Sequence, residues 1–166
     1  MHTIATAIAR RAMPPGIDLE ITESLLMEDI DGSIRKLQQL RKLDVEIAID
    51  DFGVGYSSLS YLARLPAQTL KIDRSFLAGM LDDSDTMMLV QTIISLAHSL
   101  KRKVIAEGVE SEEQANLLRQ LGCDEMQGYL ISRPVPFEQM SALLERAPII
   151  ESSDTPAGVR GFPKSV

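Results

Sequence analysis

Cys123 is the only cysteine among the 166 residues, so no disulfide can form within the chain, and a reducing compartment suits it. No apolar run approaches the ~18 residues needed to cross a bilayer. Residues 1–13 carry Arg10 and Arg11 but no apolar core leading to a small-residue cleavage site, so this stretch is not expected to be a signal peptide. The expected location is cytoplasmic. Basic residues are outnumbered, 17 against 24 acidic ones, for a net charge of −7. Such a chain has no broad positive groove for DNA or RNA. A small anionic ligand stays admissible, because bound metal ions reverse the local field. Histidine is scarce as well: with only His2 and His98 and no second His at ligand spacing, His98 reads as a packed or surface residue. What remains, 45% hydrophobic and 25% charged residues, is ordinary for one globular domain with a real core.

The densest stretch is Ile49-Asp50-Asp51-Phe52-Gly53-Val54-Gly55-Tyr56-Ser57-Ser58-Leu59. An apolar strand, Val45 to Ile49, ends on two adjacent carboxylates, and Gly53 and Gly55 then permit a tight turn. As plain structure this is an Asp-rich turn capping the next helix. As chemistry, a divalent cation removes the repulsion between the two acids, and oxygen ligands suit Mg²⁺, Mn²⁺ or Ca²⁺.

Ile4, Ala5, Ile8 and Ala12 predict an opening helix stopped by Pro14-Pro15-Gly16. Ile17 to Thr22 alternates as a strand, Leu25 to Met27 read as a connection, and Ser33 as the N-cap of a helix with Ile34, Leu37, Leu40 and Leu43 inward. After the strand Val45–Asp51 comes a short helix around Leu59 and Leu62, then a third strand within 69–76, with Lys71 and Asp73 on one face. A helix over 85–100 turns Leu89, Ile93, Leu96 and Leu100 inward, with Met87 and Met88 as core filler. Asp82-Asp83-Ser84-Asp85 caps it through the dipole. Lys103–Val109 is a fourth strand, Ser111 with Glu113-Gln114 opens a helix that Gly122 closes, and Glu125–Ile131 is a fifth strand. Phe137–Leu144 is a last helix. Residues 1–146 form the domain, and 147–166 a polar tail expected to be disordered.

Alternating strands and helices imply a parallel α/β sheet. Glu20, Asp50, Lys71, Glu107 and Gln127 lie at or near the carboxyl ends of successive strands. A doubly wound sheet also binds ligands there, but a group from every strand is the habit of a (β/α)8 barrel, whose rim collects catalytic residues. The expected fold is therefore a partial TIM-type barrel of about five parallel strands, lacking the N-terminal strands of a barrel of eight. Glu20, Asp50 and Glu107 offer hard oxygen ligands, Asp51 a place for a second ion, Lys71 a group to orient or deprotonate water, and Gln127 a hydrogen bond. Two ions ~3.5–4 Å apart, clamping an in-line displacement, are the usual logic of phosphodiester cleavage.

Leu-Glu-Ile-Thr-Glu-Ser (19–24), Asp-Asp-Phe-Gly-Val-Gly-Tyr-Ser-Ser-Leu (50–59), Leu-Lys-Ile-Asp-Arg-Ser-Phe (70–76), Ala-Glu-Gly-Val-Glu (106–110) and Gln-Gly-Tyr-Leu-Ile-Ser-Arg-Pro (127–134) closely resemble the EAL domain, the family of bacterial cyclic di-GMP phosphodiesterases. The resemblance implies Glu20, Asp50, Asp51 and Glu107 as ligands of Mg²⁺ or Mn²⁺, in a pair, and Lys71, Glu107 and Gln127 as the catalytic metal and water network. It implies that Glu23 anchors the loop carrying Phe52, Gly53, Gly55 and Ser57, and that this loop couples ligand binding to dimerisation. Asp73 and Glu110 are supporting positions by the same resemblance, Arg74 and Arg133 each follow a site strand where either could meet a ligand phosphate, and Pro134 is a supporting or ligand-binding position. The implied partners are cyclic di-GMP, a second copy of the domain, and an upstream sensory or GGDEF-type domain in a parent chain. Val54 stands where Thr is usual and Asp44 where Gly is common. The namesake Glu-Ala-Leu segment and an Asn ligand after it are absent. The isolated chain is therefore expected to be inactive, with hydrolysis to linear pGpG confined to a longer chain. The alternative is a degenerate or truncated module that binds cyclic di-GMP or a protein without catalysis.

Overall fold

A computed structural model describes residues 18–43, 45–55, 59–136 and 138–140. The chain divides into two compact units, Met1–Ile131 and Ser132–Val166. The opening helix, Asp44, Ser57 and residues 147–166 lie outside the described residues.

In the first unit the order is β1 (Asp18–Thr22), α1 (Glu23–Glu28), α2 (Ile30–Arg41), β2 (Glu46–Phe52), α3 (Leu59–Leu62), β3 (Thr69–Ile72), α4 (Arg74–Gly79), α5 (Ser84–Ser99), β4 (Lys103–Glu107), α6 (Glu112–Gln120) and β5 (Glu125–Gln127). The five strands form one sheet in the order β1-β2-β3-β4-β5, every pair parallel. Neighbours in sequence are neighbours in space without reversal. A doubly wound sheet has a point where strand order reverses; this sheet has none, and it is a segment of a barrel wall.

Alternation along each strand divides the sheet into two faces. Ile47, Ile49, Leu70, Ile72, Val104 and Ala106 face the helices and are buried. They pack with Leu26, Leu37, Leu40, Leu62, Leu77, Val90, Ile94, Ala115 and Leu118 in one apolar cluster, each large side chain contributing about 1.5–3 kcal/mol by leaving water. The opposite face carries Glu20, Asp50, Thr69, Lys71, Ile105, Glu107 and Gln127. At the amino ends of the strands this face borders a cavity of about 610 Å³ whose walls include Asp18, Glu46, Thr69, Lys103 and Glu125.

Several boundaries differ from those the sequence predicts. Leu25–Met27 belong to α1 rather than to a connection, because Leu26 enters the core; six residues are too short to display a period. The cap of α2 is Asp29, which accepts the Gly32 N–H at 2.9 Å, four residues before Ser33; a polar first turn hides the start. Leu43 falls beyond α2 and is exposed. Asp73 is not strand: it caps α4, an element the sequence left inside β3. In α5 the buried stripe is Val90, Ile93, Ile94 and Ala97, and Met88 and Leu89 are exposed. That helix is apolar on more than one side, so its phase cannot be read from spacing alone. Asp83 caps it as expected. β4 stops at Glu107 because Gly108 takes φ 74°. β5 stops at Gln127, since a Cβ on Gly128 would lie 2.1 Å from the Val109 carbonyl oxygen, a crossing no extended strand makes. His98 is exposed and pairs with Asp124 at 2.9 Å. In the second unit residues 138–140 are helical; the rest of the predicted Phe137–Leu144 helix lies outside the described residues.

Candidate metal centre

Lys71 sits in mid-sheet with only 3% of its side chain exposed. A lone buried ammonium would be driven to its neutral form. Here Nζ lies 2.6 Å from Oε1 of Glu107, 2.8 Å from Oε2 of Glu20 and 3.3 Å from Oδ1 of Asp50. Burial pulls the Lys71 pKa down, but hydrogen bonds to Glu107 and Glu20 and the charges of Glu107 and Asp50 outweigh it. The pKa is held well above its ordinary value.

Three strands deliver these carboxylates by register. Thr22 pairs with Asp50, Lys71 with Ile105 and Glu107 with Gln127. Asp51 needs more than register, since adjacent strand residues point to opposite faces. The pairing of β2 with β3 shifts between Ile49 and Phe52, and Asp51 takes φ 52°, a left-handed conformation that Asp tolerates better than most residues. The result is that oxygens of Asp50, Asp51 and Glu107 all lie within 4.8 Å of one another.

Four carboxylates thus gather near one ammonium, an excess of negative charge that one lysine does not cancel. Oδ1 of Asp50 is buried and, though 3.3 Å from Lys71, receives no hydrogen bond. The oxygens of Asp50, Asp51 and Glu107, within 4.8 Å of one another, carry more negative charge than Lys71 offsets, and a divalent cation among them would relieve that repulsion. The donors are all hard oxygens, which suits Mg²⁺, Mn²⁺ or Ca²⁺. The residues present fit a divalent ion.

The loop after Asp51 is held from below. Glu23 is 5% exposed and its Oε2 accepts the Gly53 N–H at 3.0 Å. A Cβ on Gly55 would come 3.3 Å from Oε1 of the same carboxylate, and one on Gly53 would come 2.9 Å from the Phe76 ring. Phe52 is buried beneath. Asp73 lies outside β3; its carboxylate accepts from Ser75, and that hydrogen bonding lowers its pKa. Arg74 is exposed at the start of α4, its Cβ against Gly108, and exposed Glu110 has its N–H held by Gln114. Arg133 and Pro134 belong to the second unit and are exposed. The sequence did not single out Gln114 beyond a helix start. Only the Ser-x-x-Gln spacing could have signalled it.

A run of parallel strands in barrel order, with an acidic oxygen-donor cluster around a buried lysine at the carboxyl rim, defines a β/α-barrel protein with a site of the divalent-cation kind. The EAL domain pattern matches residues 1–134, and the chain belongs to the EAL domain family. It is 48% identical over 143 residues to the bifunctional diguanylate cyclase/cyclic di-GMP phosphodiesterase MucR of Pseudomonas aeruginosa, covering 86% of this chain and 21% of that protein. It is also 48% identical over 128 residues to the cyclic di-GMP phosphodiesterase NbdA of the same organism, covering 77% and 16%. Among solved structures, the MucR phosphodiesterase in complex with c-di-GMP superposes with TM-score 0.80 at 47% identity, over 84% of this chain and 57% of that one. The EAL domain of Mycobacterium smegmatis DcpA superposes with TM-score 0.79 at 40% identity, over 86% and 65%. Klebsiella pneumoniae BlrP1, solved with manganese and cyclic di-GMP, gives TM-score 0.73 at 30% identity, over 80% and 34%. The chain thus spans 21% and 16% of the two curated relatives named. No helix among the described residues is long and apolar enough to cross a membrane.

Proposed function

We propose that the chain is the metal-holding part of a phosphodiesterase that opens cyclic di-GMP to linear pGpG. The observation that carries this is Lys71, which lies within 3.3 Å of carboxylates from three strands, beside Asp51. Glu20, Asp50 and Glu107 would hold one ion and Asp51 would share a second, the ions being Mg²⁺ or Mn²⁺. When bound, such a pair lowers the pKa of a water and neutralises phosphate charge. Lys71 stands where its ammonium can orient that water or balance charge growing on the phosphate oxygens. Gln127, paired with Glu107 across the sheet, offers a neutral hydrogen bond. Glu23 fixes the loop of Phe52, Gly53 and Gly55, which couples the site to a second copy of the domain. Asp73 and Glu110 support the rim, and Arg74 meets the nucleotide. The name of MucR supports a GGDEF-type or sensory domain in the same polypeptide, and the setting is cytoplasmic.

The test joins the chain to the part of the MucR domain that it does not match and follows pGpG release with Mn²⁺ or Mg²⁺. Metal-dependent cleavage by the hybrid, and none by the 166 residues alone, is expected. Binding without cleavage would instead identify a non-catalytic nucleotide receptor. A folded hybrid that neither binds nor cleaves overturns both.

A further inference from the structure

Glu107 is the last residue of β4, and the backbone turns sharply after it. On one side that turn is stitched to β5: the Val109 N–H donates to the Gln127 carbonyl at 3.0 Å and the Leu130 N–H to the Val109 carbonyl at 3.0 Å. On the other side a single side chain holds it. Oε1 of Gln114 accepts from the Glu110 N–H at 2.8 Å and the Ser111 N–H at 3.2 Å. Its Nε2 donates to the Leu77 carbonyl of α4 at 2.9 Å. Ser111 Oγ returns a bond from the Gln114 N–H at 3.2 Å, which closes a capping box.

A capping box needs only the acceptor half of this amide. The donor half does something else: it ties the loop following Glu107 to the helix following Lys71. These are the two strands whose side chains meet at 2.6 Å. Where the tether holds, Gly108 sits against Arg74 with no room for a Cβ, the nearest atom being 2.5 Å away. We propose that Gln114 is a positioning residue, setting where the Glu107 carboxylate stands relative to Lys71 and, resting on the metal reading above, how tightly the ion is held. Groups behind a metal ligand typically change metal affinity about 10–100-fold when lost.

Gln114→Glu separates the two roles. A carboxylate still accepts from Glu110 and Ser111 and suits a helix N-terminus, but it cannot donate to Leu77. In the full chain this variant loses one hydrogen bond, so its urea midpoint should fall, but by less than that of Gln114→Ala. Without metal, the Glu107 carboxyl ¹³C resonance should shift while that of Glu46 does not. With metal, Mn²⁺ affinity read by electron paramagnetic resonance should fall about tenfold. Gln114→Ala loses cap and tether together and should lower the midpoint as well. An unmoved Glu107 resonance in folded Gln114→Glu overturns the positioning role, as does unchanged Mn²⁺ affinity where the unaltered chain binds the ion. If the unaltered chain binds no Mn²⁺, the metal reading fails, and the carboxyl resonance alone decides the tether.

Discussion

Gly108 and Gly122 have nearly the same backbone, φ 74° and 81°, and opposite surroundings. A Cβ on Gly122 meets nothing within 4 Å, whereas one on Gly108 lands 2.5 Å from Arg74 Cβ and 3.5 Å from its Cα. Alanine at either position incurs the left-handed penalty of about 1–2 kcal/mol, partly offset by the less flexible unfolded chain. That part cancels when the two variants are compared. What remains at 108 is a clash with the backbone start of α4, which must retreat by roughly an ångström, and such overpacking costs about 1–3 kcal/mol. Gly108→Ala should therefore be about 1–3 kcal/mol less stable than Gly122→Ala. Urea unfolding reads this directly: with slopes of about 1–3 kcal/mol/M, the midpoints should differ by roughly 1 M at equal slope. The displaced loop begins at the residue after Glu107, so Mn²⁺ binding should weaken for Gly108→Ala and hold for Gly122→Ala. Equal midpoints would refute the steric argument and leave backbone conformation as the whole effect.

Other expectations are as direct. Lys101 has φ 57° with an exposed side chain, so Lys101→Gly should stabilise the chain by about 0.5–1 kcal/mol, measured as a higher urea midpoint. Asp50→Asn keeps the shape but removes the charge that holds a hard cation; Mn²⁺ binding should vanish with the fold intact, and near-normal binding would exclude Asp50 as a ligand. Burial pushes the Cys123 thiol up to about 11, so at pH 8 about one molecule in a thousand carries the thiolate. Ellman's reagent should label the native chain far more slowly than the urea-unfolded one. Native Cys123 keeps its proton in a window, from the ordinary thiol value of 9.0 to about 11, where the unfolded chain has lost it, so its contribution to stability falls as pH rises through that window.

Much of the site was legible because strand-end chemistry follows register. Glu20, Asp50, Lys71 and Glu107 stand where alternation and the βα rhythm put them, and their convergence needs only parallel pairing. The helices were harder. α1 and α4 have six residues each, too few for a period, and each begins directly where a strand ends. On α5 the expected inward residues Ile93, Leu96 and Leu100 do pack into the core, while Leu89 does not: Leu89 and Val90 both fit a helical stripe, and only packing against β3 and β4 chooses between them. The second bond of Gln114 was invisible for another reason: Leu77 lies 37 residues away, and no local pattern encodes a side chain reaching a distant carbonyl.

Position 51 carries two demands at once, a left-handed backbone and a negative charge, and they can be lifted separately. Asparagine tolerates the same conformation and has nearly the same outline, but it brings no charge. A single atom exchanged there would leave the β2 rim in shape while removing one negative charge from the cluster of Asp50, Asp51 and Glu107. Alanine would lose both, straining the turn as well as discharging it. The charge at this position and the shape of the rim are thus separable, and the fold would not register the loss of the charge alone.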